Sequence, residues 1–100
     1  MMSHFTGADL SSMFLQAFQS YNEGNYEEAV RCQKEIYEAA AEYYGSLHAQ
    51  TISALNNLVI FARSAGKEEE ASAYAKLAYE KSLEAYGEAD ERTRRAKQML

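Results

Sequence analysis

The chain has 100 residues, of which 47% are hydrophobic and 25% charged, with a formal net charge of -5. That balance excludes a large two-lobed enzyme and a disordered tail, and leaves one small folded domain. The acidic balance also argues against general nucleic-acid binding, because a phosphate backbone would meet a repulsive field.

No proline and only five glycines interrupt a sequence rich in Ala, Glu, Tyr, Leu and Ser, so long helices can run and an all-α fold is expected. Residues 1–9, with His4, read as a flexible N-terminal segment. A first helix is predicted over 10–23, carrying Phe14, Phe18 and Tyr21 at i, i+4 and i+7 on one stripe. A second, over 25–44, places Ala29, Cys32, Ile36, Ala40 and Tyr43 on one face and starts with the acidic pair Glu27-Glu28, which suits the positive end of the helix dipole.

Gly45 closes that helix, and SLHAQ makes the only connection of any length. A third helix over 50–65 shows Leu55, Leu58, Val59, Ala62 and Ala65 at three- and four-residue spacing and stops at Gly66. The fourth, over 67–86, offers a face of small residues, Ala71, Ala75, Ala78, Ser82 and Ala85, which admits close approach of a neighbouring helix. A last helix over 89–100 carries RTRRAK, whose charges suit a helix C-terminus, with an acidic partner as the alternative.

The helices come in repeated pairs. Gly24 and Gly66, Gly45 and Gly87, Glu28 and Glu70, Ala29 and Ala71, Tyr44 and Tyr86, and Thr51 and Thr93 are each 42 positions apart. This shift superimposes EGNYEEAV on AGKEEEAS and EYYG on EAYG. Repeat 1 is read over 10–45, repeat 2 over 50–87, and 89–100 as a capping helix or partial third repeat.

GNYEEA and GKEEEA, each set between two helices, resemble the Gly-x-Tyr-x-x-Ala pattern of tetratricopeptide repeats, although Glu68 replaces the tyrosine in the second. The usual tetratricopeptide period is about 34 residues. The longer period here, with Gly45, His48, Thr51, Leu55, Asn56, Asn57 and Leu58 in register, is similar to the repeats of kinesin light chain, with Ala49 where those have proline. The resemblance implies a right-handed stack of antiparallel helix pairs, about two and a half repeats long, over residues 10–100. It also implies a non-catalytic scaffold whose concave face, lined by the first helix of each pair, holds an extended peptide or a partner helix.

On that reading the groove takes Phe14, Phe18 and Tyr21 from the first helix, Asn56, Asn57 and Arg63 from the third, and Arg95 from the last. The aromatic stripe has a second reading as a core stripe, and a third as a dimer seam. Asn56 and Asn57 match residues that hydrogen-bond peptide in related arrays, an amide offering both donor and acceptor; alternatively they brace a neighbouring helix. Arg63 and Arg95 would meet acidic ligand side chains. The carboxylate clamp of chaperone-type tetratricopeptide proteins is not expected, since Phe14 and Phe18 stand where it needs basic and asparagine residues.

Catalysis needs a constellation, and the inventory is thin. Cys32 falls on a buried helix face, where a thiol acts as a small apolar group. As the only cysteine it can form neither an intramolecular disulfide nor a thiolate cluster. His48 lacks the partners for zinc binding or nucleophilic catalysis and reads as satisfying backbone groups in its connection. No enzyme activity, cofactor or metal is expected.

A protein or peptide ligand is the expected partner, with homo-oligomerisation or membership of a longer repeat array as the alternative. No apolar run approaches the roughly 20 residues of a bilayer span, and MMSHFTGADL lacks the parts of a signal peptide. A cytoplasmic protein without membrane or nucleic-acid contact is therefore expected.

Overall fold

The computed structural model describes residues 7–100, with side chains from Leu10 onward. The expected N-terminal segment, His4 included, lies outside the described residues up to position 6. Five helices follow: α1 Gly7–Asn22, α2 Tyr26–Tyr44, α3 Ala49–Ser64, α4 Glu68–Tyr86 and α5 Glu91–Gln98. α1 begins three residues before its expected start, because the apolar periodicity that marks it in the sequence begins only at Leu10. α5 begins two residues late, because Asp90 serves as its N-cap.

The 42-residue repeat is visible in the hydrogen bonding. Gly24 and Gly66 end α1 and α3 at φ 81° and 78°, a left-handed turn that glycine adopts without a Cβ penalty. The residue after each glycine then donates its N–H back into the helix, Asn25 to the Ser20 carbonyl and Lys67 to the Ala62 carbonyl. At the other end of each pair, Thr51 Oγ1 donates to the Ala40 carbonyl at 3.0 Å and Thr93 Oγ1 to the Ser82 carbonyl at 3.1 Å. Both threonines are buried, and each ties the start of a first helix to the second helix before it.

His48 does what its isolation implied. Its Nδ1 accepts the Gln50 N–H at 3.0 Å, capping α3, while its ring stacks on Tyr44 at 4.6 Å between centroids. Asp90, at the equivalent position, accepts the Arg92 N–H at 2.8 Å and caps α5. There the Arg92 guanidinium covers Tyr86 at 3.5 Å from the ring centroid. Two unlike side chains thus perform one task, each satisfying an N–H that the helix start leaves without a partner.

Side-chain contacts sort the helices into two layers. The first helices meet one another through Phe18, Tyr21 and Phe61 between α1 and α3, and through Arg63, which donates to the Met99 carbonyl, between α3 and the end of α5. In the second layer, Lys34 of α2 pairs with Glu70 of α4 at 3.1 Å. The core runs between the layers through Ala17, Ala29, Val30, Ile36, Leu55, Leu58, Phe61, Ala71 and Ala78.

Gln33 is wholly buried and donates to the Ala54 carbonyl at 3.0 Å, joining α2 to α3 inside that core. Of the small face of α4, Ala71, Ala75, Ala78 and Ser82 are buried and Ala85 is half-buried. Tyr43 departs from expectation, standing exposed at the last turn of α2. There it meets Tyr44 edge-on, at 4.8 Å between centroids.

Candidate functional site

The helical period and the repeat together determine which side chains the first helices leave outside the core. In α3 the residues at 53, 56, 57, 60, 63 and 64 are exposed or half-buried, while Thr51, Ile52, Ala54, Leu55, Leu58, Val59, Phe61 and Ala62 are buried. The same open stripe in α1 holds Ser11, Phe14, Leu15, Phe18, Tyr21 and Asn22. In α5 it holds Arg95 and Gln98, followed by the C-cap Met99. All seven sequence-predicted residues lie on this one face.

Phe14, Phe18 and Tyr21 divide between the core and open-patch readings. Tyr21 stacks on Phe61 with centroids 4.6 Å apart, and its hydroxyl shares a 3.1 Å hydrogen bond with Ser64 Oγ. Phe18 meets Phe61 edge-on at 5.7 Å, and Phe14 meets Phe18 at 4.8 Å. The outer edges of Phe14 and Phe18 remain 36% and 37% exposed. The stripe is therefore anchored at its Tyr21 end and open at Phe14 and Phe18 alike.

Beside Phe14, a cleft of about 110 Å³ opens between α1, α2 and α3, lined by Leu10, Phe14, Ile36, Ala40, Tyr44 and Ala54 together with the polar Ser11, Gln50 and Ser53. Sequence reasoning missed Leu15, which is 72% exposed. The repeat held the signal, since the 42-residue shift lays Leu15 on Asn57, Phe14 on Asn56 and Phe18 on Ile60. Ile60 itself is 45% exposed. One face thus concentrates four large, open apolar side chains.

The polar half is organised differently from its sequence reading. Asn57 is half-buried. Asn56 is half-buried too, and its Oδ1 is shielded from solvent without a hydrogen-bond partner within the protein. Such an acceptor gains strongly from any donor placed against it. The Arg63 guanidinium is engaged within the chain, donating to the Met99 carbonyl and lying 3.9 Å from Glu68. Arg95 pairs with Glu91 one turn earlier, at 3.1 Å and in the open, a geometry that water screens heavily.

Among the described residues, the titratable groups with the clearest perturbations are held by structural partners. Burial, reinforced by the Glu28 carboxylate, pushes the Cys32 thiol up, and the thiol donates to Glu28 at 3.7 Å. A thiol so held keeps its proton and is a poor nucleophile. The Arg92 side chain and the backbone N–H hold Asp90 down at about 2, which fits a fixed helix cap. Among the described residues no helix is long and apolar enough to cross a membrane.

Residues 10–88 match the tetratricopeptide repeat family, a span that takes in both helix pairs and ends before α5. The chain belongs to the tetratricopeptide repeat family. No curated protein and no solved structure matches it. Tetratricopeptide repeats generally mediate protein–protein interactions, and the family is generally a non-catalytic scaffold. In this tetratricopeptide protein the glycine turns at 24 and 66 set the angle between the helices of each pair. Tyr26 of the first motif packs on Tyr21 at 5.3 Å, a contact that the second motif, with Glu68, cannot reproduce.

Proposed function

We propose that this protein is a non-catalytic binding module that holds an extended peptide or a partner helix across the face formed by α1, α3 and α5. The observation that carries the reading is the grouping of Phe14, Leu15, Phe18 and Ile60, open to solvent at equivalent repeat offsets on that face. Contiguous open apolar surface of this kind marks interaction sites on soluble proteins.

The ligand is apolar where it meets Phe14, Leu15, Phe18 and Ile60, and it hydrogen-bonds the half-buried amide of Asn57. Toward α5 it is acidic. Arg95 offers the freer charge there, because Arg63 already serves the end of α5. The 42-residue spacing supports a subtype akin to kinesin light chain, and the single, proton-holding cysteine supports a cytoplasmic setting.

The test uses a peptide selected from a random library for binding to the intact chain. Replacing Asn57 and Arg95 with alanine should weaken that peptide at least tenfold while leaving helicity unchanged; equal binding would refute the assignment. A second reading rests on the same apolar group, with another copy of the chain as the occupant. Light scattering over a concentration series separates the two, since self-association raises the apparent mass with concentration whereas a peptide-binding monomer keeps the mass of one chain.

A further inference from the structure

The cleft between α1, α2 and α3 opens onto the stripe of the first helices, since Ser11, Phe14 and Ser53 line it and are also exposed on that stripe. Phe14, Ile36 and Tyr44 give it apolar walls, and its polar groups, Ser11, Gln50 and Ser53, carry no charge. At about 110 Å³ it is smaller than the ~150 Å³ apolar cavity that holds benzene. In proportion it has room for about four heavy atoms, the size of a leucine side chain, and not for a ring.

Shifting the lining by 42 residues gives the corresponding place between α3, α4 and α5. There Asn56 stands for Phe14, Ser82 for Ala40, Arg92 for Gln50 and Arg95 for Ser53. Arg92 lies over Tyr86, the counterpart of Tyr44, at 3.5 Å from the ring centroid, and both Asp90 carboxylate oxygens hold it at 3.0 Å. Arg95 is less committed, its pairing with Glu91 lying in the open. One repeat apart, the face therefore offers an uncharged apolar recess and a cationic site. An aliphatic group gains by burial in the first. A carboxylate gains a guanidinium at the second and would lose its hydration without a charged partner in the first.

On the reading that this face binds a peptide, we propose that the cleft is the anchor pocket. It takes one leucine-sized aliphatic side chain and refuses an aromatic ring, and an acidic residue of the same peptide, three positions from the anchor, meets Arg95. The spacing follows from the repeat. Ser53 at the cleft and Arg95 hold the same offset on successive first helices, and packed helices lie about 8–10 Å apart. An extended chain with three residues per turn returns to the same side after about 9 Å. A β-type chain returns after about 7 or 13 Å, which fits neither site.

The test selects peptides from a random library against the intact chain. Captured sequences should share a leucine or methionine with an aspartate or glutamate three positions away. In calorimetry, replacing the anchor leucine by alanine or by phenylalanine should each cost at least tenfold in affinity, and methionine should cost less than either. Phe14→Ala removes a wall of the cleft at a partly exposed position, and should reverse the order so that the phenylalanine peptide binds more tightly than the leucine one. Arg95→Ala should abolish the preference for the acidic residue and leave that for leucine.

Ser53→Trp, at an exposed position on the rim, should block the cleft and cost at least tenfold, which keeps the test decisive even if Phe14→Ala fails to fold. An aromatic anchor, a spacing of seven residues as on a helix, or equal binding of the leucine and alanine peptides overturns the anchor pocket while leaving the face a peptide site. Capture of no peptide at all, or capture indifferent to Leu15→Ser with Ile60→Ser, overturns the reading on which it rests.

Discussion

Phe61 joins α1 to α3 across the two helix pairs, and its removal should be among the most costly single changes on α3. It is 2% exposed, stacks on Tyr21 at 4.6 Å and receives the edge of Phe18 at 5.7 Å. Truncating a buried phenylalanine to alanine costs about 3–5 kcal/mol through lost transfer energy and the cavity left behind. Each aromatic pair contributes about 0.5–1.5 kcal/mol beyond its buried area. With two pairs lost and α1 partly free to settle, about 4 kcal/mol is expected for Phe61→Ala.

That loss is a large part of the ~5–15 kcal/mol that holds a domain folded, and it corresponds to a fall of about 15–30 °C in Tm for a chain of this size. Urea and thermal unfolding followed by circular dichroism would measure it. Gln19→Ala, at the equivalent but exposed position of α1, should stay within about 0.5 kcal/mol. A double-mutant cycle pairing Phe61→Leu with Tyr21→Leu should return a coupling of about 0.5–1.5 kcal/mol. A cost below about 1 kcal/mol for Phe61→Ala, or zero coupling in the cycle, would refute the joining role of this stack.

The repeat makes further perturbations comparable in pairs. Thr51→Val should cost about 1–2 kcal/mol in urea unfolding and Thr93→Val somewhat less, because Thr51 Oγ1 lies 2.7 Å from the Gly45 carbonyl as well as 3.0 Å from that of Ala40; equal or negligible effects would contradict the latch. Gly66→Ala should lose about 1 kcal/mol to backbone strain alone, since an added Cβ meets nothing within 4 Å, and a stabilising outcome would contradict the left-handed turn. Asp90 titrates in the folded state at about 2, below its ordinary 3.8. Its contribution is therefore complete above pH 4 and is lost as pH falls through 2. The stability advantage of wild type over Asp90→Asn should shrink between pH 5 and pH 2, and an advantage that grows on acidification would count against the assignment.

Much of this fold was legible because repetition doubles every signal. The apolar spacing of α3 and the small-residue face of α4 identified their buried sides directly, and Gly24 and Gly66 identified two helix ends. The start of α5 was missed although the repeat contained it: Asp90 is the counterpart of His48, so the helix had to begin after it. What a helical period cannot resolve is how far a stripe turns from the core. Phe14, Phe18 and Tyr21 share a stripe, yet only the position of Phe61 decides that Tyr21 is anchored while Phe14 stands at an open cleft. Arg63 was similarly opaque, since its partner is a backbone carbonyl at the end of α5, which no pattern of side chains reveals. Leu15 was overlooked as one more apolar residue in an apolar helix, although its register with Asn57 placed it on the open face.

The claim that the open face of the first helices binds ligand is tested most directly by a paired surface substitution. A library-selected peptide would be titrated by isothermal calorimetry against wild type, against Leu15→Ser with Ile60→Ser, and against Tyr43→Ser, which alters an exposed aromatic at the far end of α2. The account predicts at least a tenfold loss of affinity for the first variant and none for the second. Unchanged affinity in the first, or a loss confined to Tyr43→Ser, would contradict it.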